Sequence, residues 1–208
     1  MKNYKELSRI TFDKQAKIYD DTPSAKVSKY SKMCYPFVQE KLGTSDFQRL
    51  LDVGAGTGEL IRLLQADHPE ANYFGLDISE FMIEVAKGKH IPNSTFAVGD
   101  AEDLPYNDNW FDIVTCVQSI HHYPRVEAAM REVWRVLKPG GFYIICDMTF
   151  RNPLTRWFTN HIYMPFNRMG DVRIYGKKDM QVLFKKTGFQ RFRYYQIHPN
   201  MYMTTGKK

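Results

Sequence analysis

Short apolar runs alternate along this chain with stretches in which apolar residues return every three or four positions. Leu50, Leu51 and Val53 form the first strong run, a strand over about 48–53. Leu60, Ile61, Leu63 and Leu64 mark one side of a helix from Thr57 to about Ala66, with Thr57 as its cap. Asn72–Asp77 reads as a second strand. Ser79 caps a helix through Lys87, with Met82, Ile83 and Ala86 at helical spacing. Thr95–Val98 is a third strand, closed by Gly99-Asp100, and Trp110–Val117 a fourth. Pro124 opens a helix ending near Leu137. Lys138-Pro139-Gly140-Gly141 is a turn, and Phe142–Cys146 a fifth strand.

The two ends are patterned differently. Residues 1–21 are polar with a few aromatics and read as a loose helix or arm. Thr22-Pro23 starts a helix that stops at Gly43. Pro153 to about Met169 reads as an aromatic, partly polar helix. Lys178–Lys186 is a short helix ended by Gly188. Phe189–Ile197 and Met201–Thr205 are two further strands.

Strands alternating with helices predict βαβ units and an α/β fold with a mostly parallel sheet. The strands are apolar on both sides, so helices must cover both faces. The chain of 208 residues fits one domain. Within it, residues 1–43 form a helical lid, 44–150 the ligand-binding core, and 151–208 the acceptor-side helices and last strands.

Charge divides the chain. Residues 1–150 carry 17 Lys+Arg against 21 Asp+Glu, net −4, while residues 151–208 carry 12 against two, net +10. That basic, aromatic quarter could face an anionic small molecule, nucleic acid or a membrane surface, or be a solvated helix over an aromatic core. Cys34, Cys116 and Cys146 are scattered, two of them in apolar runs, which suits free buried thiols in a reducing compartment. The polar start lacks a leader pattern and no run reaches the ~20 apolar residues of a membrane span, so a cytoplasmic protein is expected.

In a doubly wound sheet, ligands bind beyond the carboxyl ends of the strands. That rule brings together Gly54–Gly58, Asp77, Asp100 and the residues Gln118–His122. Asp77 lies 19 residues after Gly58 and ends its strand, where a carboxylate can accept from both hydroxyls of a ribose. The glycines read Gly54-x-Gly56-x-Gly58, with Glu59 where the last glycine of the dinucleotide fingerprint belongs. A carboxylate there is ill suited to a pyrophosphate, so a nucleoside without phosphates fits better, and Asp52 beside the turn suits a cationic one.

Five segments carry a family resemblance. Leu51-Asp52-Val53-Gly54-Ala55-Gly56-Thr57-Gly58 resembles the first motif of class I S-adenosylmethionine-dependent methyltransferases. Gly75–Ser79 resembles the second, Gly99–Tyr106 the third, Phe111–Val114 through Ile120–Tyr123 the fourth, and Arg135–Gly141 the late turn. The resemblance covers residues 48–147 most strongly. It is nearest to the small-molecule branch that includes the ubiquinone and menaquinone C-methyltransferases. Phe12–Asp20 looks like that branch's F-D-x-x-A-x-x-Y-D segment, which folds over the cofactor.

The resemblance implies a Rossmann-like, seven-stranded fold, S-adenosyl-L-methionine as cofactor and S-adenosyl-L-homocysteine as product. It places the backbone of Gly54, Ala55, Gly56 and Gly58 under the methionine and sugar, with Asp52 orienting that loop and attracting the ammonium group. Asp77 would hold the ribose, Ile78 and Met82 flank the adenine, and Asp100 bond its amino group. Ala101 and Glu102 would pack at the ring edge, the Gln118 backbone would meet the methionine amine, and Tyr19 would close the site. Methyl transfer is an in-line displacement, so the protein mainly positions an acceptor.

A base is needed only if the acceptor loses a proton. His121 and His122 are the candidates, and neighbouring residues point opposite ways, so one at most faces the pocket. No metal site is expected, because the histidine pair has no carboxylate at ligand spacing. The expected acceptor is an aromatic or acidic small molecule, roofed by residues 1–32 and by 153–175. There Trp157, His161, Tyr163, Met164 and Phe166 would line an apolar cavity, and Arg156, Arg168 and Arg173 receive an acidic group. Gln118-Ser119-Ile120-His121 replaces the Asn/Asp-Pro-Pro-Tyr of many base N-methylating enzymes, so no DNA partner is expected. An RNA methyltransferase using the basic tail, or a non-catalytic cofactor-binding subunit, is the alternative.

Overall fold

The computed structural model describes residues 3–20, 26–43 and 45–208. The expected helix start at Thr22-Pro23 lies outside them. Asn3 caps α1 (Tyr4–Gln15), its side chain accepting from the Glu6 N–H. A single 3-10 turn, Ala16–Ile18, follows, and then α2 (Lys26–Leu42).

The sheet is built from β1 (Arg49–Val53), β2 (Asn72–Asp77), β3 (Ser94–Val98), β4 (Phe111–Val117), β5 (Leu137–Met148), β6 (Gln190–His198) and β7 (Met201–Lys207). Its order is β3-β2-β1-β4-β5-β7-β6. The first five strands pair in parallel, and β7 runs antiparallel to both β5 and β6. Four helices connect the strands: α3 (Glu59–Asp67), α4 (Glu80–Gly88), α5 (Val126–Val136) and α7 (Lys177–Lys186). Strand order reverses between β1 and β4, and the carboxyl ends there part to leave a crevice.

Alternation along β1 divides the core. Leu50 packs into one buried cluster with Leu60, Ile61 and Leu64 of α3. Leu51 and Val53 join the other, with Val133 and Val136 of α5. Each of these fully buried aliphatic side chains contributes roughly 1.5–3 kcal/mol of transfer free energy. In β4, Phe111 packs on the α5 side and Ile113 on the α3 side. A register shift between those two residues produces the switch, since a strict two-residue period would leave both on one face.

Three local expectations are corrected. The turn at Lys138–Gly141 is an irregularity inside β5, where Leu137 pairs with Phe111 and the next partners are Phe142 and Ile113. Gly140 at φ 79 absorbs it. Thr57 does not cap α3. Gly58 occupies the cap position at φ 73, and the Thr57 hydroxyl donates to Asp20 Oδ1 at 2.8 Å. The 153–169 helix is three short pieces: α6 (Pro153–Phe158), a π turn (Thr159–Tyr163) and a 3-10 turn (Met164–Phe166). Ser79 does cap α4, accepting from the Met82 N–H at 3.1 Å.

The three cysteines are free and buried. Among the described residues, no helix is long and apolar enough to cross a membrane.

Candidate active site

A cavity opens at the carboxyl ends of β1, β2 and β4, with about 880 Å³ of space that is partly open to solvent. Its floor is the loop after β1. The Gly54 and Ala55 N–H groups donate to the Leu76 carbonyl at 2.8 and 3.0 Å, fastening this loop to β2. Gly54 at φ 79 lies so close to Ser119 that an added Cβ would sit 2.0 Å from the hydroxyl oxygen. Gly56 at φ 53 is different: an added Cβ would meet nothing within 4 Å, because this backbone faces the cavity. Gly58 does not line the cavity. An added Cβ there would strike the Phe96 ring at 2.8 Å, so its role is close packing of the loop on β3.

Asp77, at the end of β2, lines the cavity. Its Oδ2 accepts from the Gly56 N–H and its Oδ1 from the Ser79 N–H, each at 2.9 Å. Burial raises its pKa, opposed by the backbone N–H groups of Ser79, Gly56 and Ile78 around the carboxylate. Asp52 lines the cavity too, but it does not orient the glycine loop as expected. Asp52 Oδ1 instead accepts from the Thr115 hydroxyl on β4 at 2.7 Å, and Asp77 and Leu76 hold the loop.

Burial pushes the Asp52 pKa up to about 7. The sign follows from linkage. A carboxyl with a raised folded pKa contributes stability that is present below its unfolded pKa and lost as pH rises through the folded value. Asp52→Asn is therefore expected to raise Tm at about pH 8 while leaving it nearly unchanged at about pH 4. Thermal melts of both proteins across that range check this.

Ile78, Met82, Asp100, Ala101 and Glu102 also line the cavity. There the structure adds Lys5 from α1, which donates to Asp100 Oδ2 at 2.5 Å and pairs with Glu102. Glu102 also accepts from the N–H and Nε of Arg125 at 2.7 and 2.8 Å. Burial would raise the Glu102 pKa, but Lys5 and Arg125 prevail and hold it below the usual carboxylate range. Gln118 follows β4 at φ 50 and lines the cavity. Its N–H is committed to the Cys146 carbonyl at 2.8 Å.

Lys5, Ser8 and Phe12 of α1, with Tyr19, Ser31 and Tyr35, form the roof. The Tyr19 hydroxyl lies 3.3 Å from Ser31 Oγ. Tyr35 and Tyr123 were not foreseen, and Lys5 and Ser8 were foreseen only as part of the 1–32 roof. Lys5, Ser8 and Phe12 sit three and four residues apart, one face of a helix, and that spacing was the available signal.

The two histidines separate. His122 lines the cavity, with its ring edge-on to Phe12 at 5.1 Å. Burial and the neighbouring His121 lower its pKa. His121 does not line the cavity and is withdrawn as a candidate base. Its Nδ1 lies 2.7 Å from Asp147 Oδ1, and its pKa rises because Asp147 and Asp171 outweigh the cost of burial. The expectation of no carboxylate partner is also corrected, since Asp171 arrives beside both rings from far along the chain.

The 153–175 segment does not line the cavity. Trp157, Tyr163 and Phe166 are 55%, 58% and 81% exposed, and Trp157 stacks on His161 instead. Met164 alone of the proposed five is buried. Arg156 and Arg173 both turn to Asp179, at 3.8 and 3.2 Å, and Arg168 does not line the cavity either.

Residues 51–145 match the family model described as a methyltransferase domain. A phthiotriol/phenolphthiotriol dimycocerosates methyltransferase of Mycobacterium tuberculosis is 36% identical over 58% of this chain and 44% of its own length. A fatty-acid O-methyltransferase of Mycolicibacterium smegmatis is 39% identical over 53% of this chain and 40% of its own. The chain thus spans less than half the length of these two relatives. The crystal structure of the YcgJ protein of Bacillus subtilis superposes with a TM-score of 0.67 at 30% identity. It covers 80% of this chain and 71% of that one.

Proposed function

Since the chain belongs to the class I S-adenosylmethionine-dependent methyltransferases, we propose that it moves a methyl group to a small, lipid-like acceptor. S-adenosyl-L-methionine is the cofactor. It supplies an already activated methyl, so the chain's own work is to bind, orient and exclude water.

The residues around the cavity fit that group. The observation that carries the reading is the pairing of Gly56, whose backbone faces open space, with the Asp77 carboxylate, which lines the same cavity and is tied to that glycine loop. Asp77 would hold the ribose hydroxyls, and the Gly54–Gly56 backbone would underlie the methionine and sugar. Ile78 and Met82 would flank the base, with Asp100 at its amino group. Asp52, nearly buried and beside the glycine turn, favours a cationic ligand. Tyr19 and α1 would close the cavity over the bound cofactor, and His122 would stand at the acceptor side. The lipid-like acceptor is supported by the names of the two mycobacterial relatives and by the apolar Phe12 and Tyr35 in the roof.

The RNA alternative loses support from the basic tail. Arg156 and Arg173 are paired with Asp179, and Lys186 with Glu127 at 3.0 Å. Labelled-methyl transfer into cell extract, separated into lipid, water-soluble small-molecule, RNA and protein fractions, tests the proposal. Label is expected in the lipid fraction. Label confined to RNA would overturn it.

A further inference from the structure

We propose that His121, His122 and Asp171 form a divalent-cation site at the acceptor side of the cavity, of the tetrahedral kind that zinc prefers. This goes beyond the methyltransferase reading, and only the role of the ion in transfer rests on it.

Three donor atoms converge. His121 Nε2 lies 3.5 Å from Asp171 Oδ1, and His122 Nδ1 lies 3.3 Å from the same oxygen. All three donor atoms fall within 4.8 Å of one another. These separations are long for hydrogen bonds to a carboxylate. The two distances to Asp171 Oδ1 match edges of a tetrahedron, since bonds of about 2.0–2.1 Å to zinc place neighbouring donors roughly 3.3–3.4 Å apart. An octahedral ion with the same bond length would draw them to about 2.9 Å.

The second donor atoms of His121 and Asp171 are pinned. Asp147 Oδ1 engages His121 Nδ1, so Nε2 is the nitrogen turned toward Asp171. That is the carboxylate–histidine arrangement that orients metal-bound imidazoles. Asn167 Nδ2 donates to Asp171 Oδ2 and leaves Oδ1 facing the rings. The 3-10 turn that carries both histidines is itself tied to the Asp171 segment, because the Val172 and Arg173 N–H groups donate to the His121 carbonyl.

Two histidines and a carboxylate leave a fourth position open. His122 lines the cavity, and Ser8 Oγ stands 3.3 Å from its Nδ1. An acceptor hydroxyl taken into that open position would have its pKa lowered and would release its proton to solvent water before the methyl is transferred.

The test is equilibrium dialysis of the full chain, stripped with chelator and then exposed to Zn2+, with elemental analysis of the retained metal. About one zinc per chain is expected, and the Co2+ form should show the strong visible absorption of a tetrahedral centre. Asp171→Asn and His122→Ala should each abolish stoichiometric retention, and Asp147→Asn should weaken it by about 10–100-fold. Asp171 does not line the cavity, so Asp171→Asn should bind S-adenosylmethionine as the wild type does, which shows that it is folded. Retention far below one ion per chain at micromolar Zn2+, or retention unaffected by Asp171→Asn and His122→Ala, would overturn the site. Neither result touches cofactor binding, which stands or falls separately.

Discussion

Asp77→Ala is expected to weaken S-adenosylmethionine binding by about 100-fold or more, roughly 3 kcal/mol. Two losses combine. The ribose hydroxyls lose a charged acceptor in a buried setting, where such hydrogen bonds are strong. The Gly56 and Ser79 N–H groups lose their acceptor as well, so the loop beneath the ligand is freed. Asp77→Asn keeps the size of the side chain, and with its oxygen in place of Oδ2 it can still receive Gly56. It should fall between the two. Calorimetric titration measures all three, with melting curves to establish that each variant is folded. An affinity for Asp77→Ala within twofold of wild type would remove Asp77 from the site.

Gly54→Ala should cost about 2–4 kcal/mol of stability, a drop in Tm of roughly 5–15 °C for a domain of this size. The added methyl would lie 2.0 Å from Ser119 Oγ and 2.4 Å from its Cβ, and the backbone sits at φ 79, where alanine is strained. The two causes separate in a double mutant. Ser119→Gly removes the clash and not the strain, so it should restore most but not all of the loss. Gly56→Ala is the contrast. Its methyl meets nothing within 4 Å, so Tm should fall little, while the methyl intrudes on the cavity and cofactor affinity falls. A Gly54→Ala protein as stable as wild type would show that the loop does not hold this conformation in solution.

The central sheet was legible because its strands are apolar on both faces, and Leu50 and Leu51 could only belong to a buried strand. The convergence of Gly54, Gly56 and Asp77 on one cavity was legible because they lie within one βαβ unit at fixed spacing. Thr57 misled because a capping residue and a left-handed glycine compete for the same position, and Gly58 at φ 73 takes it. The aromatic 153–175 segment misled because composition records hydrophobic side chains and not their direction. Trp157 and Phe166 turn outward. The Asp171 contact with His121 and His122 was invisible for a different reason: no local period links a 3-10 turn after β4 to a loop before α7. Lys5 belongs between these cases, since its helical spacing from Ser8 and Phe12 was readable while its partners Asp100 and Glu102 were not.

The crystal structure of the chain with S-adenosylhomocysteine tests the account most directly. The account predicts the ligand in the cavity above Gly54–Gly56, its ribose hydroxyls on Asp77 and its adenine between Ile78 and Met82. Ligand bound elsewhere, or bound there with its ribose away from the Asp77 carboxylate, would contradict it.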